Sequence, residues 1–243
     1  MHQRVGSIRA IYRYPIKSMA GESLDTAELG PHGIEGDRRL ALRRVDERGG
    51  FPWLTASRLP ELIRWVPERH DASAVLPTHV RRPDGTRYGV FDPALAADVS
   101  TRFGAPVDLL HLRGGIFDDS AVSLMSQATV DAIASASGAP PDVRRFRPNV
   151  LVELGPRAPY AEDAWVATLV TFGDPETGPT IAVTSRDVRC VMVNLDPDTG
   201  QSSPAVLKAI GRDRQGMAGV YGTVVRPGPI AVGDAVHVAP VTS

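Results

Sequence analysis

Residues 7–18 read SIRAIYRYPIKS, a β-strand pattern that ends at a proline. Branched and aromatic side chains recur in it with partial alternation, which favours an extended conformation. Pro15 ends the pattern because proline has no backbone N–H to donate to a sheet. Lys17 and Ser18 follow at once, so the predicted strand ends beside an amine and a hydroxyl.

Most other predicted elements are also short strands between turns rich in Gly, Pro and Asp. We predict strands over residues 23–29, 39–46, 150–154, 165–172, 180–184, 188–195, 221–226 and 235–239. Residues 30–37 contain three glycines and are predicted to be irregular. The 23 glycines and 21 prolines of the 243-residue chain indicate many turns, which favours a β-rich architecture over a helical bundle.

Three short helices are predicted among these strands. Residues 92–103 begin with an Asp-Pro pair suited to a helix start and are followed by Gly104. Residues 126–137 precede Gly138, and residues 203–210 precede Gly211. A helical turn is expected near residues 59–66. The sequence predicts an α+β protein that is mainly β, with a barrel-like sheet.

Composition excludes several classes of partner. Lys plus Arg number 27 and Asp plus Glu number 28, a formal net charge of −1. A near-neutral chain has no bulk attraction for nucleic acid or an anionic membrane. No stretch approaches the ~18 apolar residues that a membrane span needs. We therefore expect a cytoplasmic, monomeric protein without nucleic-acid or membrane partners.

Cys190 is the one cysteine, which excludes an internal disulfide, a zinc site of several thiolates and an iron–sulfur cluster. A single cysteine is most often a small packing residue. Arg186 and Arg189 precede it, however, and a neighbouring guanidinium favours the thiolate needed for nucleophilic or metal-binding chemistry. On the predicted strand 188–195, Cys190 would face away from Arg189. Both interpretations stay open on these residues alone.

Cationic clusters occur where strands are predicted to begin or end. Lys17 and Ser18 follow the first strand, Arg38 leaves the glycine-rich segment, and residues 144–149 read RRFRPN. Each cluster alone is typical of a solvated surface. Together, beside glycine-rich loops, they suit an anionic, phosphate-bearing ligand. With the lone cysteine they favour a phosphorylated cofactor whose reactive end meets sulfur.

Other common motifs are absent from the sequence. There is no Walker loop, no GxGxxG loop and no GxSxG elbow. The six histidines show no metal-ligand spacing. Without a nicotinamide or flavin loop or cysteines for a cluster, electrons for any redox reaction must come from a separate partner.

A series of motifs along nearly the whole chain resembles the MOSC family, named after the C-terminal domain of molybdenum cofactor sulfurases. The motifs are YPIKS (14–18), GDR (36–38), LTASR (54–58), SLMSQATVDAI (123–133), RFRPNVLVE (145–153), AEDAW (161–165), RCVMVNLDPDTG (189–200) and VGDAV (232–236). The series is most similar to bacterial proteins related to the mitochondrial amidoxime-reducing component. The resemblance implies an N-terminal MOSC-associated β-barrel region over residues 1–110. It implies a β-barrel MOSC catalytic domain with a few short helices over residues 111–243, and a cofactor at the interface.

The resemblance also implies a molybdopterin-type molybdenum cofactor whose metal is bound by the thiolate of Cys190. The cofactor-binding residues that it implies are Lys17, Ser18, Arg38, Asp118, Asp119, Arg147, Asn149, Arg189, Cys190 and Tyr221. Asp118 is the candidate for proton delivery to a departing oxygen. Many relatives have a small or cysteine-containing segment before the Arg-Cys pair, whereas this chain has Asp187, an extra acidic group on the metal face.

The leading functional hypothesis is a molybdenum-dependent oxidoreductase that reduces N-hydroxylated or related N–O substrates. Its electrons would come from a ferredoxin-like protein or a flavin reductase, for which the arginines of residues 144–147 are a candidate docking surface. One alternative is a molybdenum cofactor or sulfur carrier without turnover. The other is a metal-free cysteine enzyme, which needs a histidine beside Cys190; His111 and His237 are the nearest in sequence.

Overall fold

The computed structural model describes residues 2–71, 74–155 and 158–241, apart from the side chain of Asp213. Strands dominate the described residues. They are β1 (Gln3–Arg13), β2 (Glu22–Leu24), β3 (Thr26–Gly30), β4 (Gly33–Ile34), β5 (Leu40–Arg44), β6 (Val66–Glu68), β7 (His79–Arg81), β8 (Arg87–Gly89), β9 (Val107–His111), β10 (Val122–Ser126), β11 (Val150–Leu154), β12 (Thr168–Phe172), β13 (Thr180–Val188), β14 (Met217–Arg226), β15 (Gly228–Ala231) and β16 (Ala235–Pro240).

Short helices connect these strands. The α-helices are α1 (Pro93–Phe103), α2 (Gln127–Ser137) and α3 (Ala205–Arg214). Single 3₁₀ turns occupy Pro60–Arg64, Val143–Arg145, Ala161–Trp165 and Val191–Asn194. The predicted α+β class with mainly β content is confirmed.

Seven strands close into a barrel in the order β11-β10-β14-β13-β12-β16-β1, because β1 also pairs with β11. β2 extends the sheet beyond β1. The pairing of β10 with β11 is parallel, and the other barrel pairings are antiparallel. Closure leaves no open edge among these seven strands, which protects them from pairing with other chains.

The largest core cluster takes its side chains from the barrel strands and from β3, β4 and β15. It includes Ile8 and Ile11 of β1, and Phe172 of β12, all essentially buried. Burial of each such side chain contributes about 1.5–3 kcal/mol. β1 thus belongs to the barrel although it lies in the N-terminal region, and the boundary between residues 110 and 111 stays a prediction.

A second core lies within the N-terminal region. It packs the β5–β9 ribbon with α1 and with the 3₁₀ turn at Pro60–Arg64, around the buried side chain of Trp65. A third core packs α2 and α3 near Phe146. These cores fix the loops between β1 and β5 and the segment after α2, where the predicted cationic clusters lie.

The first two helices begin and end as predicted. The Asp92 side chain accepts a hydrogen bond from Ala94 N, 2.8 Å long, and Gly104 ends α1 with a φ of 80°. The third helix differs, because it continues through Gly211 to Arg214. Glycine inside a helix costs only about 1 kcal/mol relative to alanine, which burial of Val206 and Ile210 offsets.

Two other sequence predictions are wrong. Residues 188–195 do not form a strand, because β13 ends at Val188 and Cys190 precedes the 3₁₀ turn Val191–Asn194. The turn is closed by a hydrogen bond from Leu195 N to Met192 O. Residues 30–37 are not wholly irregular, since Gly30 pairs with Gly33 in the β3–β4 hairpin. The positive φ of Gly33, 86°, allows that tight return.

Candidate functional site

Backbone pairing brings the predicted clusters together. Lys17 N donates to Leu40 O over 2.8 Å, and Arg38 N donates to Tyr14 O over 2.8 Å. The segment after β1 therefore runs beside the segment before β5. Ile116 N also donates to Arg38 O over 2.9 Å, which brings in the loop that carries Asp118.

A cavity of about 410 Å³ opens where these segments meet the Cys190 turn. Eight of the ten predicted cofactor-binding residues line it: Lys17, Ser18, Arg38, Asp118, Arg147, Arg189, Cys190 and Tyr221. They come from segments separated by up to about two hundred residues, so the fold creates this cluster. Their roles in binding stay predictions.

Cys190 immediately precedes the 3₁₀ turn Val191–Asn194 and is exposed to solvent. Its side chain makes no capping hydrogen bond to that turn. Among the described residues, no group of three or more His, Cys, Asp and Glu side chains could hold a metal ion.

Lys17 is buried, and its Nζ lies 2.6 Å from Asp118 Oδ1. Burial lowers the pKa of the Lys17 ammonium, Arg38 and Arg147 lower it further, and Asp118 opposes the shift. The Asp118 side chain is 60% exposed. Burial of part of that carboxyl raises its pKa, but Lys17 and the two arginines outweigh this effect and leave the pKa below its usual value.

Arg147 is a half-buried cation whose side chain has an unused, buried hydrogen-bond donor. Its Nη1 donates to Met19 O over 2.7 Å, and its guanidinium lies 4.1 Å from the ring centre of Tyr14. Its Nη2 is buried without a hydrogen-bond partner among the described residues. Burial and the neighbouring Arg38 lower the pKa of Arg147 to about 10. A buried guanidinium with a free donor beside a second cation suits an anionic ligand.

Three cavity residues adopt the left-handed conformation that non-glycine residues rarely take. The φ angles are 69° for Ser18, 49° for Arg38 and 55° for Arg147. Each such residue costs on the order of 1–3 kcal/mol, and such strain concentrates at functional sites. The surrounding hydrogen bonds hold this part of the cavity in an arrangement that local preferences oppose.

Two predicted residues lie outside the cavity lining. The buried Asn149 side chain accepts from Ser123 N over 3.1 Å and lies 3.5 Å from Arg38 Nη1. Asp119 accepts from Ser185 Oγ over 2.9 Å. Asn149 thus supports the position of Arg38 from behind the cavity wall, whereas Asp119 is tied to a neighbouring strand.

Arg189 lines the cavity and uses two of its donors on the protein's own backbone. Its Nε donates to Ala218 O and its Nη1 to Phe146 O, each over 2.7 Å. Its Nη2 forms an ion pair with Asp187 Oδ2 at 2.9 Å but makes no hydrogen bond to the described residues. These contacts fix the backbone that leads into Cys190. Sequence-based alternation, which placed Arg189 and Cys190 on opposite faces, does not hold because both residues line the cavity.

Asp187, which the sequence analysis named only as an extra acidic group on the metal face, also lines the cavity. Its side chain is 2% exposed, and Ser123 Oγ donates to its Oδ2 over 3.2 Å. Burial raises the pKa of the Asp187 carboxyl to about 6, although Arg189 pulls it down. The available signal was an acidic residue three positions before the cysteine, between the predicted strands 180–184 and 188–195.

The rest of the wall is partly apolar. Phe51, Val188 and Met192 line the cavity, and Phe51 and Val188 are exposed. Thr55 and Ser57 of the LTASR motif also line it and were not singled out in sequence. We call Lys17, Arg38 and Arg147 the cationic floor of the cavity. Phe51, Val188 and Met192 form its apolar rim.

The arginines of residues 144–145 do not form a free basic surface. Arg144 pairs with Asp142 and Asp198, each at 2.7 Å, and the buried Arg145 pairs with Asp196 at 2.7 Å. The predicted docking surface at this segment is thus largely occupied by the protein's own carboxylates. The described lining of the cavity also includes neither His111 nor His237.

Two family models match this chain. The MOSC domain model matches residues 101–237, and the MOSC N-terminal beta barrel domain model matches residues 5–90. The chain belongs to the MOSC family, whose domains are associated with molybdenum cofactor binding.

Two relatives illustrate the similarity. Human mitochondrial amidoxime-reducing component 1 is 30% identical over 135 residues, which are 49% of this chain and 37% of that protein. The match therefore spans little more than a third of the relative's length. The crystal structure of the YuaD protein from Bacillus subtilis superposes with a TM-score of 0.55 at 16% identity, covering 100% of both chains. That likeness concerns the fold alone.

The described residues contain no helix with both the length and the apolar character needed to cross a bilayer.

Proposed function

We propose that this chain binds a molybdenum cofactor in the cavity at Cys190 and reduces N-hydroxylated or related N–O compounds. The observation that carries the proposal is the convergence of the sole cysteine with Lys17, Arg38 and Arg147 on one cavity. The unused Nη2 of Arg147 adds a buried donor that the protein itself does not satisfy.

The donor set fits such a cofactor on chemical grounds. A thiolate is a soft ligand that suits a metal such as molybdenum, and Cys190 offers the sulfur on an exposed turn. Guanidinium and ammonium groups form charge-assisted hydrogen bonds with phosphate.

When bound, the cofactor supplies two-electron oxygen-atom chemistry, which no side chain of this cavity could perform alone. Lys17, Arg38 and Arg147 would hold its anionic groups, and Cys190 would fix the metal end. The apolar rim of Phe51 and Val188 would receive the body of the substrate. Electrons would come from an external donor of ferredoxin-like or flavin type.

The relative supports the choice of substrate class. Human amidoxime-reducing component 1 is named for amidoxime reduction, and we propose the same class here. The cytoplasmic location, the monomeric state and the type of electron donor also stay predictions. The metal-free cysteine enzyme is less well supported, because the described cavity lining has no histidine beside Cys190.

The test is turnover of benzamidoxime by protein produced in a host that makes the cofactor, with reduced methyl viologen as the electron donor. We expect benzamidine formation that requires molybdenum and is lost in Cys190→Ala. Molybdenum-loaded protein that forms no benzamidine would support a carrier instead. Benzamidine formation that is independent of molybdenum would overturn the proposal.

A further inference from the structure

We propose that Asp187, and not Asp118, donates the proton to the oxygen that leaves the substrate as water. This inference rests on the proposed function and names a catalytic residue within it.

The geometry fixes the Asp187 carboxyl on the cavity wall. Ser123 Oγ donates to Oδ2 over 3.2 Å, and Arg189 Nη2 lies 2.9 Å from the same atom. The residue sits at the end of β13, three positions before Cys190, and both residues line the cavity. Because both contacts engage Oδ2, we assign the transferable proton to Oδ1.

Burial, more than the surrounding charges, raises the pKa of the Asp187 carboxyl toward neutrality. The charged and titratable groups that act on it are Arg189, Arg38, Asp118 and, on β14, Tyr221. Burial is the largest influence and raises the pKa to about 6; Asp118 adds to that rise, whereas the two arginines oppose it. A general acid works best when its pKa lies near the operating pH.

Asp118 lacks these properties. It lies 2.6 Å from the Lys17 ammonium, and its side chain is 60% exposed. Lys17, Arg38 and Arg147 keep its pKa below the usual value against the effect of burial. Asp118 is therefore ionised at neutral pH and cannot donate a proton, whereas its charge stabilises the buried lysine.

The reaction balances with one proton from Asp187. An amidoxime takes up two electrons and two protons, its N–O bond breaks, and an amidine and water are formed. Asp187 forms the new O–H bond on the leaving oxygen, and solvent supplies the proton for the new N–H bond. The external one-electron donor supplies both electrons in two steps, and solvent then returns a proton to Asp187.

The first readout needs no cofactor. In cofactor-free protein labelled with ¹³C at aspartate carboxyls, the resonance absent from Asp187→Asn should titrate with a midpoint near pH 6. A midpoint below pH 5 would overturn the inference. Molybdenum content per chain should be the same in Asp187→Asn as in the unmodified protein, because the carboxyl is not assigned to cofactor binding.

The second readout is the pH profile of benzamidoxime reduction with reduced methyl viologen. Asp187→Asn should lower kcat by about 10²-fold or more and abolish the decrease of kcat at alkaline pH. The decrease of kcat at alkaline pH should return in Asp187→Glu and should be present in Asp118→Asn. Asp131→Asn, on the exposed face of α2, is the matched control and should leave kcat unchanged.

The outcomes separate the two proposals. An active enzyme whose Asp187→Asn variant keeps the original kcat and pH profile would overturn the role of Asp187 alone. A molybdenum-loaded protein that reduces no N–O substrate would overturn the proposed function and this inference with it, whatever the carboxyl titration shows.

Discussion

Arg38 donates a hydrogen bond from Nη2 to the backbone carbonyl of Arg147, over a distance of 3.0 Å. The two residues are 109 positions apart, and both have left-handed backbone conformations. The bond joins the loop before β5 to the segment before β11, and the two guanidiniums lie 5.0 Å and 4.1 Å from the ring centre of Tyr14. Their mutual repulsion is part of what lowers the pKa of Arg147, and an anionic ligand would relieve it.

The buried Lys17 offers the first test of that cationic floor. Lys17→Met keeps the length of the side chain but removes the charge, and we expect cofactor affinity to fall about 10- to 100-fold. The basis is the loss of one charge-assisted hydrogen bond, worth about 1.5–3 kcal/mol. The free energy of unfolding of the cofactor-free protein should change by less than about 1.5 kcal/mol, because the swap roughly conserves volume.

Lys208 is the other lysine of the chain and serves as the matched control. It is exposed on α3, so Lys208→Met should leave both cofactor affinity and stability unchanged. Molybdenum retention by titration with a chelator, together with urea unfolding of the cofactor-free forms, measures both effects. Equal losses of stability and affinity in Lys17→Met would assign Lys17 a structural role.

The raised pKa of Asp187 predicts how the free energy of unfolding depends on pH. Burial raises the pKa of its carboxyl to about 6 in the folded chain, against an unfolded value near 3.8. The protonated carboxyl therefore stabilises the fold fully below pH ~4, and this stabilisation is lost as the pH rises through 6. The Asp187→Asn variant has no carboxyl to titrate at this position. As the pH rises over this range, the free energy of unfolding of the variant minus that of the unmodified protein should therefore increase by up to about 3 kcal/mol.

Urea unfolding of the two cofactor-free proteins between pH 4 and pH 7.5 measures this difference. The comparison uses the change with pH, because Asp187→Asn also alters packing and hydrogen bonding by an amount that does not vary with pH. A constant difference over the whole range would show that the Asp187 carboxyl has an ordinary pKa.

Arg144 tests whether the RRFR segment recruits an electron donor. Its guanidinium is already paired with Asp142 and Asp198, so Arg144→Ala should leave the KM for an acidic ferredoxin-type donor within about twofold. Steady-state turnover at low and high salt measures this effect. A tenfold rise in KM that disappears at high salt would restore the segment as a docking surface.

Much of the fold was predictable because strand patterns and caps act locally. The strand at residues 150–154 and the capped helices α1 and α2 follow directly from the residues in them. The turn after Cys190 could not be predicted in this way, because the alternating apolar residues of this segment are compatible with a strand as well as with the observed turn. The difference arises from long-range contacts, such as Arg189 N donating to Gly216 O over 2.8 Å.

The cavity was predictable in its cations and in its cysteine, since these residue types suggest a ligand before any fold is known. Asp187 was not assigned a role because only burial gives its carboxyl unusual chemistry, and burial depends on β10 and β14. Asn149 was predicted as a direct contact, yet its hydrogen bonds to Ser123 N and Tyr12 O place it behind Arg38. The sequence identifies the chemical groups of this site, but it does not show which of them face the cavity and which lie behind its wall.

The central claim is that Cys190 binds the metal of a molybdenum cofactor, and its most direct test is the molybdenum content of Cys190→Ser. Both proteins would be purified from a cofactor-producing host and analysed by mass spectrometry for molybdenum per chain. Because Cys190 is exposed, the substitution should change the free energy of unfolding by no more than about 0.5 kcal/mol. We predict close to one molybdenum per unmodified chain and a loss of most of it in Cys190→Ser. Equal molybdenum in the two proteins would contradict the account.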